Sequence, residues 1–294
     1  MNNYIISCST TCDLDKEYLE SNKNSVIHFY YYIDDEKYVD SFYSNIEVKD
    51  FFDKVKIANV KTSQPSPDDY IEVWEEFLKN DIDILHIELS SGISGAYNSA
   101  LIAKDLMEEK YKNAKVLVLD SLSASTGYGM LVKIANKLKN ENKNIDENFN
   151  TLMEMRHNVN HIFFTSDLSQ FLKGGRISKT SYAIGKLINI IPILHVTKDG
   201  KLEAVEKARG MNNVKNAVLD MMKTNIINGF DYEGEICISN SDCENLAKDM
   251  LDTILDKYKK VNCSEKQIYD IGTVIGSHTG RGTVAIFYIG DKRV

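Results

Sequence analysis

The stretch Ile82–Tyr97, IDILHIEL followed by SSGISGAY, decides the fold class of this chain. It contains the nearly continuous apolar run Ile84–Leu89, which is typical of a strand in a parallel sheet whose two faces are both covered by helices. A serine- and glycine-rich turn then opens the helical pattern Gly95–Tyr111. The same order, a strand and then a helix, repeats at Lys115–Asp120 and Thr126–Leu138. This alternation predicts an α/β fold whose N-terminal sheet is mainly parallel.

The remaining runs predict two α/β domains, residues 1–165 and residues 166–294. Apolar and β-branched runs indicate the strands, and amphipathic stretches with apolar residues at helical spacing indicate the helices. Further strands are predicted at Tyr4–Ser7, Val26–Ile33, His161–Thr165, Ile193–Thr197, Glu235–Ser239, Gln267–Ile271 and Thr283–Ile289. Further helices are predicted at Asp68–Lys79, Tyr182–Ile190, Val214–Ile227 and Leu246–Lys259.

The composition is that of an ordinary globular protein. The chain has 294 residues, of which 43% are hydrophobic and 27% are charged. A net charge of −8 disfavours nucleic acid or an anionic membrane surface as a main partner, because both require a basic surface. The five cysteines include no C-x-x-C pair and are odd in number, which predicts reduced, mostly buried thiols rather than a disulfide framework.

Neither export nor membrane insertion is indicated. The N-terminus lacks the basic n-region of a signal peptide. The strongest apolar run, Leu187–Leu194, is far shorter than the ~20 residues needed to span a bilayer and is interrupted by Pro192. A cytoplasmic location is therefore predicted.

Hydroxyl side chains are concentrated in three segments. Thr62–Pro67, TSQPSP, holds two of the chain's three prolines, which predict an extended and stiff backbone, and its Ser66 also suits the cap of the following helix. Ser90–Tyr97 follows one strand and Asp120–Gly129 follows the next. Backbone N–H groups and the helix dipole favour an anion at such strand ends, so we expect one anion site there. The alternative is that these turns are purely structural.

Basic and imidazole groups are found in three segments of the second half. LKGGRIS, Leu172–Ser178, combines a glycine pair with Arg176, whose planar guanidinium suits a carboxylate or a phosphate. Glu206–Arg209 adds further basic groups. His278 lies in the glycine-rich segment Gly276–Gly282, predicted as a loop, where the glycines would allow a headgroup to approach. A solvated arginine and a packed histidine are the plain alternatives. The sequence has no metal-ligand spacing, Walker motif or dinucleotide-binding glycine motif, so no cofactor or metal is expected.

Taken in order, seven motifs resemble those of the DegV family, which includes bacterial fatty-acid-binding proteins and the binding subunit of fatty acid kinase. The resemblance spans essentially the whole chain. The motifs are TSQP at Thr62–Pro65, SSGISGAY at Ser90–Tyr97, DS at Asp120–Ser121, LKGGRIS at Leu172–Ser178, IPIL at Ile191–Leu194 with a following DG, EKAR at Glu206–Arg209 and HTGRG at His278–Gly282.

The resemblance implies that two α/β domains enclose a lipid between or beneath them, with the C-terminal domain contributing to the pocket. It implies that the protein binds a single long-chain fatty acid by its carboxylate and presents it to a separate ATP-dependent kinase, which forms the acyl phosphate. The protein would then be a carrier subunit and not a complete enzyme. Transient membrane contact is also expected, and a nucleic acid partner is not.

The matched motifs also imply roles for individual residues. Thr62 and Ser94 correspond to hydroxyls that hold the carboxylate. The same headgroup site is expected to include Ser63, Gly95 and His278, and the pocket mouth or kinase-facing surface is expected to include Ser121, Arg176 and Arg209. One departure stands at Cys8, because family members often have Asp-Ser-Thr where this chain has Cys-Ser-Thr. Any role of that Asp does not carry over.

Two enzymatic alternatives remain open at this point. A serine hydrolase would use Ser94 as nucleophile, His278 as base and Asp120 or another carboxylate as the group that orients the histidine, although the glycine spacing around Ser94 departs from the G-x-S-x-G elbow. A stand-alone kinase would act on a small polar substrate, since related α/β folds bind dihydroxyacetone. It would require a phosphate-binding glycine loop or an acidic metal cluster, and the sequence offers neither.

Overall fold

A computed structural model describes residues 3–177 and 190–293. The strands are β1 Tyr4–Ser9, β2 Ser25–Ile27, β3 Tyr30–Ile33, β4 Glu36–Val39, β5 Val60–Ser63, β6 Asp83–Glu88, β7 Val116–Asp120, β8 Val159–Phe164, β9 Ile190–Val196, β10 Leu202–Arg209, β11 Ile236–Asn240, β12 Ile268–Asp270 and β13 Val284–Ile289. The helices are α1 Lys16–Ser21, α2 Val48–Ile57, α3 Pro67–Leu78, α4 Ala96–Lys110, α5 Ser125–Asn140, α6 Ile145–Met155, α7 Ser169–Lys173, α8 Met211–Asn225, α9 Glu244–Lys257 and α10 Thr273–Thr279.

The N-terminal sheet is parallel, as predicted, with strand order β2-β1-β6-β7. Helices α3 and α4 pack on one face around Trp74 and Ile84, and α5 and α6 cover the other. In β6 every residue but the first is buried, which explains its nearly continuous apolar sequence. Helix α3 begins where the sequence indicates, because Ser66 and Asp69 form a capping box and Pro67 occupies the first helical position.

A three-stranded antiparallel sheet, ordered β4-β3-β5, was not predicted. The predicted strand Val26–Ile33 is in fact two strands in two different sheets, because the chain leaves the parallel sheet after β2 and enters the antiparallel one at β3. The Phe29 backbone N–H between them donates to Thr10 Oγ1 instead of to a strand partner. This small sheet carries Thr62 and Ser63 on β5, and Tyr31 of β3 packs against Phe51 of α2.

The third sheet has six strands in the order β10-β9-β8-β13-β11-β12, and only the β11–β12 pair is parallel. Its central strand β8 pairs with β9 and β13, so the change of sheet precedes residue 159. The predicted boundary after residue 165 therefore separates β8 from its partners. Strand β10 was missed because it lies at the sheet edge, where exposed charged residues such as Glu206 and Lys207 interrupt the apolar alternation.

Helix α5 lies between the parallel sheet and the six-stranded sheet, and ten of its residues are buried. One hydrophobic core consequently joins Tyr4 and Leu85 of the first sheet to Phe163 and Phe287 of the third. The predicted helices 68–79, 95–111, 126–138, 214–227 and 246–259 are confirmed with ends shifted by a few residues. The predicted helix 182–190 lies outside the described residues, apart from Ile190, which begins β9. Within the described ranges, no helix has the length and apolar character to cross a bilayer.

Candidate functional site

The three sheets and α10 surround a cavity of about 330 Å³. This volume lies at the lower end of the range typical of small-molecule sites. Side chains of the six-stranded sheet form its apolar part, and polar residues line the part next to β5, the turn before α4 and α10. The apolar part includes Phe163, Val196, Leu202, Ala285 and Phe287, and the polar part includes Thr62, Ser63, Gln64, Ser94, Arg176 and His278.

Thr62 and His278 make a direct contact although 216 residues separate them in sequence. The Thr62 Oγ1 and His278 Nε2 atoms lie 2.8 Å apart, within hydrogen-bond distance. Thr62 is held on β5 by pairing with Tyr31, and His278 lies in the last turn of α10. The sequence analysis placed His278 in a glycine-rich loop, and this was wrong. Only Gly280 and Gly282 have positive φ, so the loop begins after the helix that carries His278.

The His278 ring is packed against Gly174, the first glycine of the LKGGRIS motif. A Cβ at Gly174 would overlap His278 Nδ1, so only glycine allows this approach. Burial, together with the nearby Arg176 charge, lowers the pKa of His278 to about 4. The ring is therefore neutral at neutral pH, and Nδ1 is buried without a hydrogen-bond partner among the described residues.

Arg176 is half-buried at the same end of the cavity. Its Nε donates to the Ile93 carbonyl at 3.2 Å, and Nη1 donates to the Gly174 carbonyl. Among the described residues no carboxylate pairs with this guanidinium. Burial lowers the pKa of Arg176 from its usual value, but an arginine remains charged. A buried cation with spare donors favours an anionic ligand.

Ser94 lies at the N-terminal end of α4. Its Oγ accepts from the Ala96 backbone N–H at 3.2 Å, which leaves the hydroxyl proton free to be donated. Gly95 caps the helix and is exposed, and it does not line the cavity. A Cβ there would lie 2.6 Å from Gln64 Oε1, so Gly95 permits the close approach of Gln64.

Besides Gly95, two predicted site residues do not line the cavity. Ser121 is fully buried, and its hydroxyl donates to the Ser123 carbonyl within the turn after β7. Arg209 is exposed at the end of β10. Thr62, Ser63, Ser94, Arg176 and His278, by contrast, all line the same cavity.

Several cavity residues were missed by the sequence analysis. Gln64 lines the polar end and donates to Ser99 Oγ at 3.0 Å. His161 and Phe163 of β8 and Ala285 and Phe287 of β13 line the apolar part. The alternation of side chains along each strand could have placed these pairs on a common face, but which face encloses a cavity depends on the tertiary arrangement.

The first turn, where this chain has Cys8, lies in the core and does not line the cavity. Cys8 is buried against Cys12, and the next residue, Ser9, donates to Glu88 Oε1 at 2.9 Å. The Glu88 carboxylate also accepts from Tyr70. All five cysteines are free. Cys8 therefore belongs to a buried structural network.

The geometry does not assemble the hydrolase arrangement. The Asp120 carboxylate accepts hydrogen bonds from Ser91 and from the Leu122 backbone N–H. His278 Nε2 contacts Thr62 and not Ser94. The aspartate thus stabilises a turn and does not orient the histidine. In the described part of the chain, no group of three or more His, Cys, Asp or Glu side chains could hold a metal ion.

The fold and the cavity define a class of α/β protein in which several sheets surround a largely apolar cavity with a cationic, hydroxyl-rich end. Residues 5–291 match the family described as uncharacterised protein, DegV family. The chain belongs to the DegV family, and the resemblance inferred from its motifs is confirmed.

One curated relative and two solved structures illustrate the likeness. A DegV domain-containing protein of Clostridium perfringens is 34% identical over 294 residues, which is 100% of this chain and 99% of the relative. A solved structure described as fatty acid binding of a DegV family protein from Thermus thermophilus is 26% identical in sequence to this chain. It superposes with a TM-score of 0.86 over 98% of this chain and 99% of that chain. The structure of the Streptococcus pneumoniae fatty acid kinase B3 protein, loaded with linoleic acid, is 20% identical to this chain. It has a TM-score of 0.83 and covers 98% of this chain and 100% of that chain. This last likeness shows the shared fold.

Proposed function

We propose that this protein binds one long-chain fatty acid, with the carboxylate at Thr62, Ser94 and His278 and the chain along the apolar part of the cavity. The observation that carries the proposal is the division of the cavity into two ends. One end has hydroxyls and the half-buried Arg176, which no carboxylate of residues 3–177 or 190–293 pairs with, and the other is formed largely by aliphatic and aromatic side chains. The fatty acid binding of the Thermus thermophilus relative supports this ligand class.

Burial of the acyl chain supplies the affinity. At ~0.8 kcal/mol for each buried methylene, a chain of about fourteen methylenes contributes ~11 kcal/mol before the costs of association. Saturated methylenes offer no directional contacts. The headgroup contacts therefore fix the orientation and register of the bound acid.

The tautomer of His278 decides whether the Thr62 hydroxyl is free to donate to the ligand. A neutral ring has one N–H, and a buried N–H without an acceptor is costlier than a buried acceptor without a donor. Because Nδ1 has no partner among the described residues, we place the proton on Nε2, where it donates to Thr62 Oγ1. The Thr62 hydroxyl is then free to donate to the carboxylate. Ser94 and Arg176 provide further donors, as a buried carboxylate requires.

We further propose that the bound acid is presented to a separate ATP-dependent kinase, with transient membrane contact during lipid exchange. A carboxylate oxygen would attack the γ-phosphorus of ATP, forming the acyl phosphate and releasing ADP. Support comes from the ordered family motifs around the headgroup site. Hydrogen bonds from neutral hydroxyls orient the carboxylate while leaving a lone pair for the phosphorus. The protein is then a substrate carrier that performs no chemistry alone.

Native mass spectrometry of the purified protein tests the ligand class. We expect one bound fatty acid for each chain, and we expect added fatty acid to exchange with it. A fatty acid methyl ester of the same length is the control, since it keeps the tail but removes the anionic headgroup, and it should bind at least about tenfold more weakly. An empty protein that binds neither compound would contradict the proposal.

The carrier role needs its own test. Protein incubated with ATP and a fatty acid should release no ADP until a fatty acid kinase of the same organism is added. ADP release by the protein alone would establish a stand-alone kinase. Labelling of Ser94 by a fluorophosphonate would instead establish the hydrolase.

A further inference from the structure

His161 is a polar side chain in the apolar part of the cavity. It lies on the central strand β8, opposite Phe287 of β13, and only 3% of it is exposed. It lines the cavity, and neither ring nitrogen makes a hydrogen bond of normal geometry to a described residue, although the Val159 carbonyl lies close enough to act on the pKa of the ring. A buried imidazole without partners is unfavourable unless a ligand group or water completes its hydrogen bonds.

The surroundings fix this ring in place. Phe287 packs edge-on against it, with the ring centroids 5.3 Å apart. A Cβ at Gly127 of α5 would overlap His161 Nε2, so the helix backbone lies directly against the imidazole. Burial lowers the pKa of His161 well below its usual value, so the ring is neutral. It therefore presents one donor and one acceptor.

The other hydroxyls near this part of the cavity already have partners. Ser125 donates to Asp13, Thr279 to the Gly280 carbonyl and Thr283 to the Thr279 carbonyl. Within the described residues, the only unpaired buried polar side-chain atoms of the lining are the two nitrogens of His161 and Nδ1 of His278. The cavity thus has a second polar position, distinct from the headgroup cluster.

We propose that His161 selects a long-chain fatty acid carrying a hydroxyl group on its acyl chain. This inference rests on the proposed fatty acid binding and names the class of acid. A chain hydroxyl is both donor and acceptor, so it pairs with the neutral imidazole in either tautomer. An unsubstituted chain would remove water from the ring and leave both nitrogens unpaired.

A competition binding experiment tests the inference. It compares octadecanoic acid with a series of hydroxyoctadecanoic acids that differ only in the position of the hydroxyl group. For one narrow range of positions we expect the hydroxy acid to bind about tenfold more tightly than octadecanoic acid, as one added hydrogen bond allows. Hydroxyls elsewhere on the chain should weaken binding, because they would be buried against aliphatic and aromatic side chains.

His161→Phe should abolish the positional preference, so that no hydroxy acid binds to the variant more tightly than octadecanoic acid does. His195→Phe is the matched control, because His195 lies on the neighbouring strand β9 outside the cavity lining and should leave the preference unchanged. Melting temperatures establish whether each variant folds. If His161→Phe does not fold, the positional series on the wild-type protein still decides the question.

Equal or weaker binding of every hydroxy acid by the wild-type protein would overturn the inference. A preference that survives in folded His161→Phe would also overturn it. In both cases the proposed function still stands if octadecanoic acid binds tightly and its binding depends on the carboxylate. If none of these acids binds, the proposed function itself is contradicted.

Discussion

At the scale of single residues, the proposed headgroup site depends on the contact between Thr62 and His278. The threonine comes from a small antiparallel sheet and the histidine from a helix near the end of the chain. Neither side chain is charged at neutral pH, since burial and Arg176 hold the pKa of His278 at about 4. In the proposed function, specificity for a carboxylate therefore depends on directed donors and on the Arg176 cation.

Thr62→Val tests the hydroxyl. Valine keeps the branched shape that suits β5, but it removes the donor and leaves His278 Nε2–H unpaired. We expect fatty acid affinity to fall about tenfold, measured by displacement of a fluorescent fatty acid. Thr62→Ser restores the hydroxyl and should recover most of the affinity. Unchanged binding by Thr62→Val would exclude Thr62 from the headgroup site.

The depressed pKa of His278 predicts a pH dependence of stability. In the unfolded chain the ring takes up a proton near pH 6.5, whereas in the folded protein it remains neutral down to about pH 4. Protons therefore favour the unfolded state in this interval, and the contribution of His278 to stability is lost as the pH falls from 6.5 to 4.

His278→Gln should remove this contribution. Denaturant titrations at pH 7 and pH 4.5 should show a smaller loss of unfolding free energy in the variant than in the wild-type protein. Burial raises the pKa values of Asp13 and Asp40, but these carboxyls are present in both proteins, so their contributions to the change in unfolding free energy cancel in the comparison. Equal acid sensitivity of the two proteins would show that His278 is protonated in the folded state.

At the scale of elements, the sequence predicts the parallel sheet and its flanking helices well, because buried strands and amphipathic helices have distinct apolar periods. It joins β2 and β3 into one strand and misses β4, β5 and β10. The three missed strands lie at sheet edges, where charged residues such as Lys37, Lys61 and Glu206 interrupt the apolar alternation, and their pairing depends on tertiary contacts. The motifs are the source of the proposed headgroup residues, of which Thr62, Ser94 and His278 line one cavity. His161 was not, since only the folded chain shows which strand face lines the cavity.

The turn after α7 provides an element-scale prediction. Gly174→Ala would place a methyl group against His278 Nδ1 and displace the ring, so affinity for fatty acids should fall about tenfold or more. Gly175→Ala is the matched control. Gly175 has a φ of +71° and no atom within 4 Å of an added Cβ, so this change should cost about 1 kcal/mol of stability while binding is kept. Equal binding by both variants would refute the positioning role of Gly174.

At the scale of the whole molecule, Arg293 connects segments that belong to different sheets. It is buried, and its guanidinium donates to the carbonyls of Leu122, Thr197 and Arg156. These carbonyls follow β7, β9 and α6. Burial is the main reason that the pKa of Arg293 is lowered to about 10, and the charge is still kept at neutral pH.

Arg293→Ala should destabilise the protein by about 2–3 kcal/mol, because several buried carbonyls lose a charged donor. Denaturant-induced unfolding measures this change. Lys292→Ala, one residue earlier and exposed, should change the stability by less than about 0.5 kcal/mol. A similar small effect for both variants would show that the C-terminal arginine does not join the sheets.

The long separation between Thr62 and His278 has a consequence for how the protein is made. At about 5–20 residues per second, a ribosome adds the intervening 216 residues in roughly 10–40 s. During this interval β5 has been synthesised, but α10 and β13 have not. A nascent chain therefore lacks half of the proposed headgroup site and one side of its cavity. On the proposed function, lipid loading follows the synthesis of α10 and β13, so the supply of free fatty acid acts on finished molecules.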